Sequence, residues 1–129
     1  MSQCHCGQSK ELNRCCLPII NGKKIAQTAL ELMRSRFSAY VENHFEYLNQ
    51  TVIGEAATAV GDYDSSIIWE QLVICRVLNG EAHHNVGTVE FKAFYRTPNN
   101  TRHMLWEESQ FKKQQGKWFY EAGVILHEH

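Results

Sequence analysis

Val86-Gly87-Thr88-Val89-Glu90-Phe91-Lys92-Ala93-Phe94-Tyr95-Arg96 is the stretch on which the fold turns. Its side chains alternate, with Val89, Phe91, Ala93 and Tyr95 on one side and Thr88, Glu90, Lys92 and Phe94 on the other. Successive strand residues point to opposite faces, so a period of two predicts a strand. Turn chemistry bounds it on both sides: Asn79-Gly80 comes before and Pro98-Asn99-Asn100 after. Working outward, residues 67–78 are rich in β-branched and apolar side chains and read as a strand buried on both faces. Residues 101–112 read as a third strand, and Gln114-Gln115-Gly116 turns it into a fourth at 117–125. Three hairpin-like links in succession imply an antiparallel meander.

Before the meander the period is helical. Thr28 can cap a helix, with Glu31 three residues on as its capping-box partner. Leu30, Met33, Phe37, Tyr40, Val41, His44 and Leu48 follow as one stripe, which requires an apolar surface to lie on. The stripe either runs past Asn43 or breaks there into a second short helix. Arg34 and Arg36 flank it, roughly 70–90° to either side. Residues 52–66 are small and polar and read as a loop, with a helical turn at 55–60. Helices followed by a four-stranded meander give an α+β fold with the helices on one sheet face. Such a sheet twists. Curled around an amphipathic helix, it leaves a cone-shaped cavity between helix and sheet.

The first sixteen residues obey neither period. Cys4, Cys6, Cys15 and Cys16 fall within thirteen positions beside almost no apolar residues, so packing cannot hold the segment. Zinc takes four ligands in a tetrahedron, with Zn–S bonds of about 2.3 Å. Two cysteines one residue apart can bind the same ion across a tight turn, for which Gly7 supplies the freedom. A second pair returning after a short loop completes the shell. Four thiolates leave no open position, so the site is expected to be structural. Its binding free energy, on the order of 10–16 kcal/mol apparent, would fold the segment. The adjacent pair Cys15-Cys16 is awkward because neighbouring side chains diverge, and His5 is a substitute ligand if one of them points away. A disulfide or thiol redox chemistry is the competing reading. Leu17-Pro18-Ile19-Ile20 is expected to leave the knuckle as an extended strap, with Pro18 blocking helix. Cys75, among Val73, Ile74 and Val77, reads as a packed core thiol.

Composition bounds the rest. At 129 residues and 43% apolar, the chain is one domain with a real core and a small appendage. The expected division is a zinc knuckle and strap over residues 1–20 and a cone-shaped domain over 21–129. A net charge of −1 provides no basic excess to release counterions, which argues against a module held mainly by nucleic-acid phosphates. No secretory h-region and no apolar run of membrane-spanning length occur, so a cytoplasmic location is expected. There, clustered cysteines are more often metal ligands than disulfides.

The cysteine spacing resembles the SEC-C zinc motif, Cys-x-Cys, eight residues, then Cys-Cys or Cys-His, matched here by Cys4, Cys6, Cys15 and Cys16. The chain beyond Cys16 is similar to the YchJ family of uncharacterised bacterial proteins. The similarity runs through Leu32-Met33-Arg34-Ser35-Arg36-Phe37-Ser38-Ala39-Tyr40-Val41 and resumes at Val89-Glu90-Phe91. It continues at Glu107-x-Ser109-x-Phe111 and Gly116-Lys117-Trp118-Phe119-Tyr120. The resemblance implies structural zinc and a cone like that of nuclear transport factor 2, and implies no activity. His5 stands where such proteins usually have proline. Thr51-Val52-Ile53-Gly54 replaces a Trp-His-Pro-like stretch, and the second knuckle of longer members is lacking. In the secretion motor SecA a similar knuckle contacts a chaperone and the ribosome, so the resemblance implies a protein or ribosomal partner here. Lys10, Arg14 and Lys23-Lys24 give that end a local positive face.

Other candidate chemistry lies in the cone. Glu107 and Ser109 share a strand face with His103, Leu105 and Phe111. With Arg34 or Arg36 arriving from the helix, and with Glu90 and Tyr120 nearby, they could line a pocket for a small polar ligand. The competing reading is an internal Arg–Glu pair holding helix to sheet, since a carboxylate inside a cavity is rarely left unpaired. His44 on the helix stripe and Glu90 on the second strand are the candidate proton carriers, His44 being more simply read as a core histidine. His83, His84, His127 and His129 read as solvated, and Trp106, Trp118 and Tyr120 as core or cavity wall. Three functions compete. The favoured one is a non-enzymatic binding or adaptor module with a structural zinc site. The second is a small-molecule-binding or isomerase/hydrolase-like cone using Arg34, Glu107 and Ser109. The third is a thiol redox protein using Cys15-Cys16.

Overall fold

In the computed structural model, which describes residues 3–58 and 64–128, one long helix lies across an antiparallel sheet. After a 3-10 turn at Leu12–Arg14, the helices are α1 (Leu17–Ile20), α2 (Ala29–Val41), α3 (Phe45–Gln50) and α4 (Gly54–Thr58). The strands are β1 (Ile68–Asn79), β2 (Val86–Arg96), β3 (Arg102–Gln114) and β4 (Lys117–Glu128), paired antiparallel in sequence order. This is the α+β meander that the alternation at 86–96 predicts. Val89, Phe91 and Ala93 of β2 are buried, whereas Thr88, Glu90 and Lys92 on the other face are only partly covered. The loop read over 52–66 contains α4, and residues 59–63 lie outside the described part. Among the described residues, no helix is long and apolar enough to cross a membrane.

The caps of α2 explain its length. Thr28 Oγ1 accepts from Glu31 N–H at 3.0 Å, and Glu31 Oε1 accepts from Gln27 N–H at 2.8 Å. At the other end Asn43 takes the left-handed conformation, φ 60°. His44 N–H then reaches Ala39 O at 2.8 Å and Asn43 N–H reaches Tyr40 O at 3.4 Å, a Schellman closure. The helical stripe therefore breaks at Asn43, and His44 becomes the N-cap of α3 rather than a member of the α2 face.

α2 is buried on more than its sheet face. Leu32, Met33 and Phe37 join the main core, while Ser35, Arg36, Ser38 and Ala39 are also buried. The sheet covers one side, and α3 and the cysteine segment cover the other. Ile20 packs against both the main core and the cysteine cluster, so the two regions share one apolar seam.

Three expectations are corrected. Residues 17–20 form a helical turn, not an extended strap, because Pro18 sits in the first turn where its missing N–H has no helical partner anyway. β1 is an edge strand rather than a strand buried on both faces. The helix layer covers only one face, and Leu72 is its one buried residue. Cys75 is exposed, not a core thiol: the register slips between Ile74 and Arg76, and this bulge turns its side chain out of the alternation.

Candidate metal centre and cone cavity

The first candidate site is built by a turn, a loop and a helix start. Cys4 N–H donates to Lys10 O and Gly7 N–H to Cys4 O, with Gly7 at φ 94°, so Cys4 and Cys6 lie on one tight turn. The 3-10 turn then delivers Cys15 and Cys16 to the N-terminus of α1, where Cys16 O accepts from Ile19 and Ile20. Neighbouring side chains converge here because Cys15 leaves the helical conformation, φ −119° and ψ −92°. The four Sγ atoms lie within 4.8 Å of one another. Cys6–Cys15 and Cys15–Cys16 are 3.6 and 4.0 Å apart. A tetrahedron with bonds of about 2.3 Å has S–S edges of about 3.8 Å, whereas a disulfide needs about 2.05 Å. The donor set and spacing therefore fit a metal ion.

The surroundings are equally specific. Cys4, Cys6 and Cys16 are buried and Cys15 partly so. Ser38 of α2 lies 3.4 Å from Cys4 Sγ, and Arg34 Nη1 donates to Cys6 O at 2.6 Å. His5 turns away to pair with Glu42 at 2.7 Å, so it does not substitute for a thiol. The thiols shift one another's proton affinity. Cys4 is held far below the usual thiol range by hydrogen bonds from Cys16 and Cys6, which outweigh burial. Cys16 is pushed up by its bonds to Cys4 and Cys6 and by burial, and burial followed by Cys6 pushes Cys15 up to about 12. A cleft of about 80 Å³ beside the cluster is lined by four basic residues, Lys10, Arg14, Lys24 and Arg34, and one carboxylate, Glu31, together with Cys15 and Cys16.

The second candidate site is the cavity between α2 and the sheet, about 150 Å³. Met33, Arg36, Phe37 and Tyr40 line it from α2. Trp69, Phe91, Ala93 and Leu105 supply the apolar sheet wall. Glu107, Ser109 and Tyr120 supply the polar one. Ser109 Oγ donates to Glu107 Oε2 at 2.6 Å, and Tyr120 O–H donates to the same oxygen at 3.1 Å. Burial and the Glu107 carboxylate push the Tyr120 phenol up, so it stays a donor. Arg36 is 5% exposed; its Nη1 donates to Leu48 O at 2.9 Å and Thr51 Oγ1 at 2.5 Å, and its guanidinium sits 5.0 Å from the Tyr120 ring centroid.

Of the residues expected in a pocket, the structure brings Arg36, Glu107, Ser109 and Tyr120 together. Arg34 does not join them: it leaves α2 on the side of the cysteine segment. Glu90 points to the opposite sheet face, where its Oε2 accepts from Trp106 Nε1 at 2.8 Å. His44 lies at the start of α3, outside the cavity lining. His83 and His84 lie ring to ring in the β1–β2 turn, tilted by 41°, and His129 lies outside the described residues. Two contributors have no strong sequence signal. Thr51 orients Arg36. Gly123 lies where a Cβ would come within 2.3 Å of Tyr120 Oη and 2.5 Å of Glu107 Oε2.

Residues 28–123 match the YchJ middle NTF2-like domain. A UPF0225 protein of Streptomyces coelicolor is 37% identical over 123 residues, covering 95% of each chain. Another, from Corynebacterium glutamicum, is 33% identical and covers 95% of this chain and 97% of its own. Among solved structures, a SEC-C motif containing protein from Rhodopseudomonas palustris superposes with a TM-score of 0.83 at 27% identity, over 98% of this chain and 100% of that one. A SEC-C motif containing protein from Psychrobacter arcticus shares the fold, with a TM-score of 0.75 at 23% identity, over 98% and 84%.

Proposed function

This chain belongs to the YchJ family of UPF0225 proteins, and on that premise we propose that it is a zinc-stabilised, non-enzymatic binding module whose knuckle face meets a partner protein. The observation that carries the reading is the convergence of four thiols at tetrahedral spacing. Zinc fits an all-sulfur tetrahedral shell. Four protein ligands leave no position for water or substrate, so the ion organises the segment and does no chemistry. Arg34 and Ser38 tie the same segment to α2, so metal binding fixes the knuckle on the cone instead of leaving it on a tether.

The partner surface is the basic rim of that knuckle. Lys10, Arg14 and Lys24 stand around one cleft on a chain whose net charge is −1. Such local charge selects an acidic partner surface and sets association rate more than affinity. The test has two arms. Elemental analysis of the purified chain should give one zinc per molecule, retained through mild oxidant and lost with chelator. A Cys6–Cys15 disulfide formed with loss of the ion would replace this reading with a redox one. A Lys10→Glu/Arg14→Glu variant should keep its zinc and lose the proteins captured by the unmodified chain. An unchanged captured set would defeat the adaptor role.

A further inference from the structure

The cone cavity is a built site that the zinc reading does not use. Its volume, about 150 Å³, is the size that accepts one benzene ring in a protein interior. Its apolar wall is largely aromatic: Phe37, Tyr40 and Trp69 meet ring to ring, with centroids 6.3 Å apart for Phe37–Trp69 and 5.6 Å for Tyr40–Trp69. These faces suit a flat apolar body.

The polar wall carries one charge of each sign. Tyr120 stands between them, with Glu107 Oε2 at 3.1 Å from its hydroxyl and the Arg36 guanidinium at 5.0 Å from its ring. Both ions are fixed before any ligand arrives. Ser109 and Tyr120 hold the carboxylate. Leu48 O and Thr51 hold the guanidinium, both through Nη1, while Arg36 still lines the cavity. Gly123 leaves room for the Glu107 carboxylate and the phenol to nest against the backbone.

We infer that this cavity binds a neutral single-ring molecule whose head group both accepts and donates a hydrogen bond, as a primary amide does. A ligand carboxylate would be drawn to Arg36 and repelled by Glu107. An ammonium would meet the reverse. A purely apolar ring would displace water from the polar wall and return no hydrogen bond to it. The head that answers both charges is neutral and two-sided: its carbonyl faces the guanidinium and its N–H the Glu107–Tyr120 pair. This inference stands apart from the zinc reading and survives its failure.

The test is an amide-resolved NMR titration of the full chain as purified with benzamide, benzoate, benzylamine and toluene. Benzamide is expected to shift the Trp69, Ser109 and Tyr120 amides saturably and to bind at least about tenfold tighter than each of the others. Intermolecular contacts from its ring protons to Phe37 and Trp69 should locate it in the cavity. Ala93→Leu, which fills the cavity, should abolish the shifts while the amide spectrum away from the cavity is unchanged. Should that variant misfold, the ranking and the ring contacts in the unmodified chain still decide. Absence of saturable binding overturns the inference, as does benzoate, benzylamine or toluene matching benzamide, or a bound ring located outside the cone.

Discussion

At the scale of single residues, the decisive positions are those where small size or an unusual backbone admits a neighbour. Gly123 faces Ser109 across the β3–β4 ladder, and the Tyr120 hydroxyl and Glu107 carboxylate occupy the space a side chain would take. Gly123→Ala is therefore expected to cost about 1–3 kcal/mol through overpacking, read as a lower urea midpoint with unchanged slope. Cys15 is the other such residue: its departure from helical geometry lets two consecutive thiols face one point. The sequence identified the four thiols from their spacing alone. It could not identify Gly123, because a glycine in a strand carries no mark of what will lie over it. Nor could it separate Arg34 from Arg36. Two residues apart on a helix, they diverge by about 160°, and only the placement of neighbouring elements decides which one faces the cavity.

At the scale of elements, α2 connects everything. Its N-terminus is tied to the sheet by Ala29 N–H donating to Gly80 O at 2.9 Å, and by Trp118 Nε1–H donating to Gln27 O at 3.2 Å. Its middle carries Arg36 into the cone and Arg34 to the knuckle. Thr28→Ala removes the cap that accepts from Glu31 N–H and is expected to lower stability by about 1 kcal/mol, measured by chemical denaturation. Thr28 and Glu31 were legible as a capping box, and Asn43 as one of two places for the stripe to end. β1 misled because its composition matches a buried strand. Hydrophobicity records what a strand tolerates, while edge position and two bulges decide how much of it is covered. The same slip moved Cys75 out to solvent.

At the scale of the whole molecule, the proposed zinc site makes the knuckle sensitive to both metal and pH. In the metal-free chain Cys4 has a lowered pKa, so its contribution is present above the ordinary thiol value of 9.0 and declines as pH falls below it. Cys15, raised to about 12, contributes below 9.0 and loses that contribution as pH rises from 9.0 toward 12. The cluster's contribution to stability should therefore peak near pH 9. The check is the difference in melting temperature between the chelated chain and a chain with all four cysteines replaced by serine. That difference should widen from neutral pH to 9 and narrow beyond it. If the proposed zinc enters, it displaces the protons that Cys15 and Cys16 retain, so binding should acidify a weakly buffered solution and weaken as pH falls.

The sequence by itself determined the capped start of α2, the four-stranded meander and the four-thiol donor set, though not the helical turn at 17–20. All three follow from local information: periods of two and of 3.6, turn residues, and cysteine spacing along one short loop. The tertiary structure decided which charged residues share a space. Arg36, Glu107, Ser109 and Tyr120 come from three elements and meet only when the sheet wraps α2. Arg34 and Glu90, equally eligible by type and position, are carried elsewhere by helix rotation and strand face. The knuckle shows the same division. Its ligands are written within thirteen residues, but its docking against Arg34 and Ser38 depends on α2, more than twenty residues further along the chain, which no local pattern in the cysteine segment specifies.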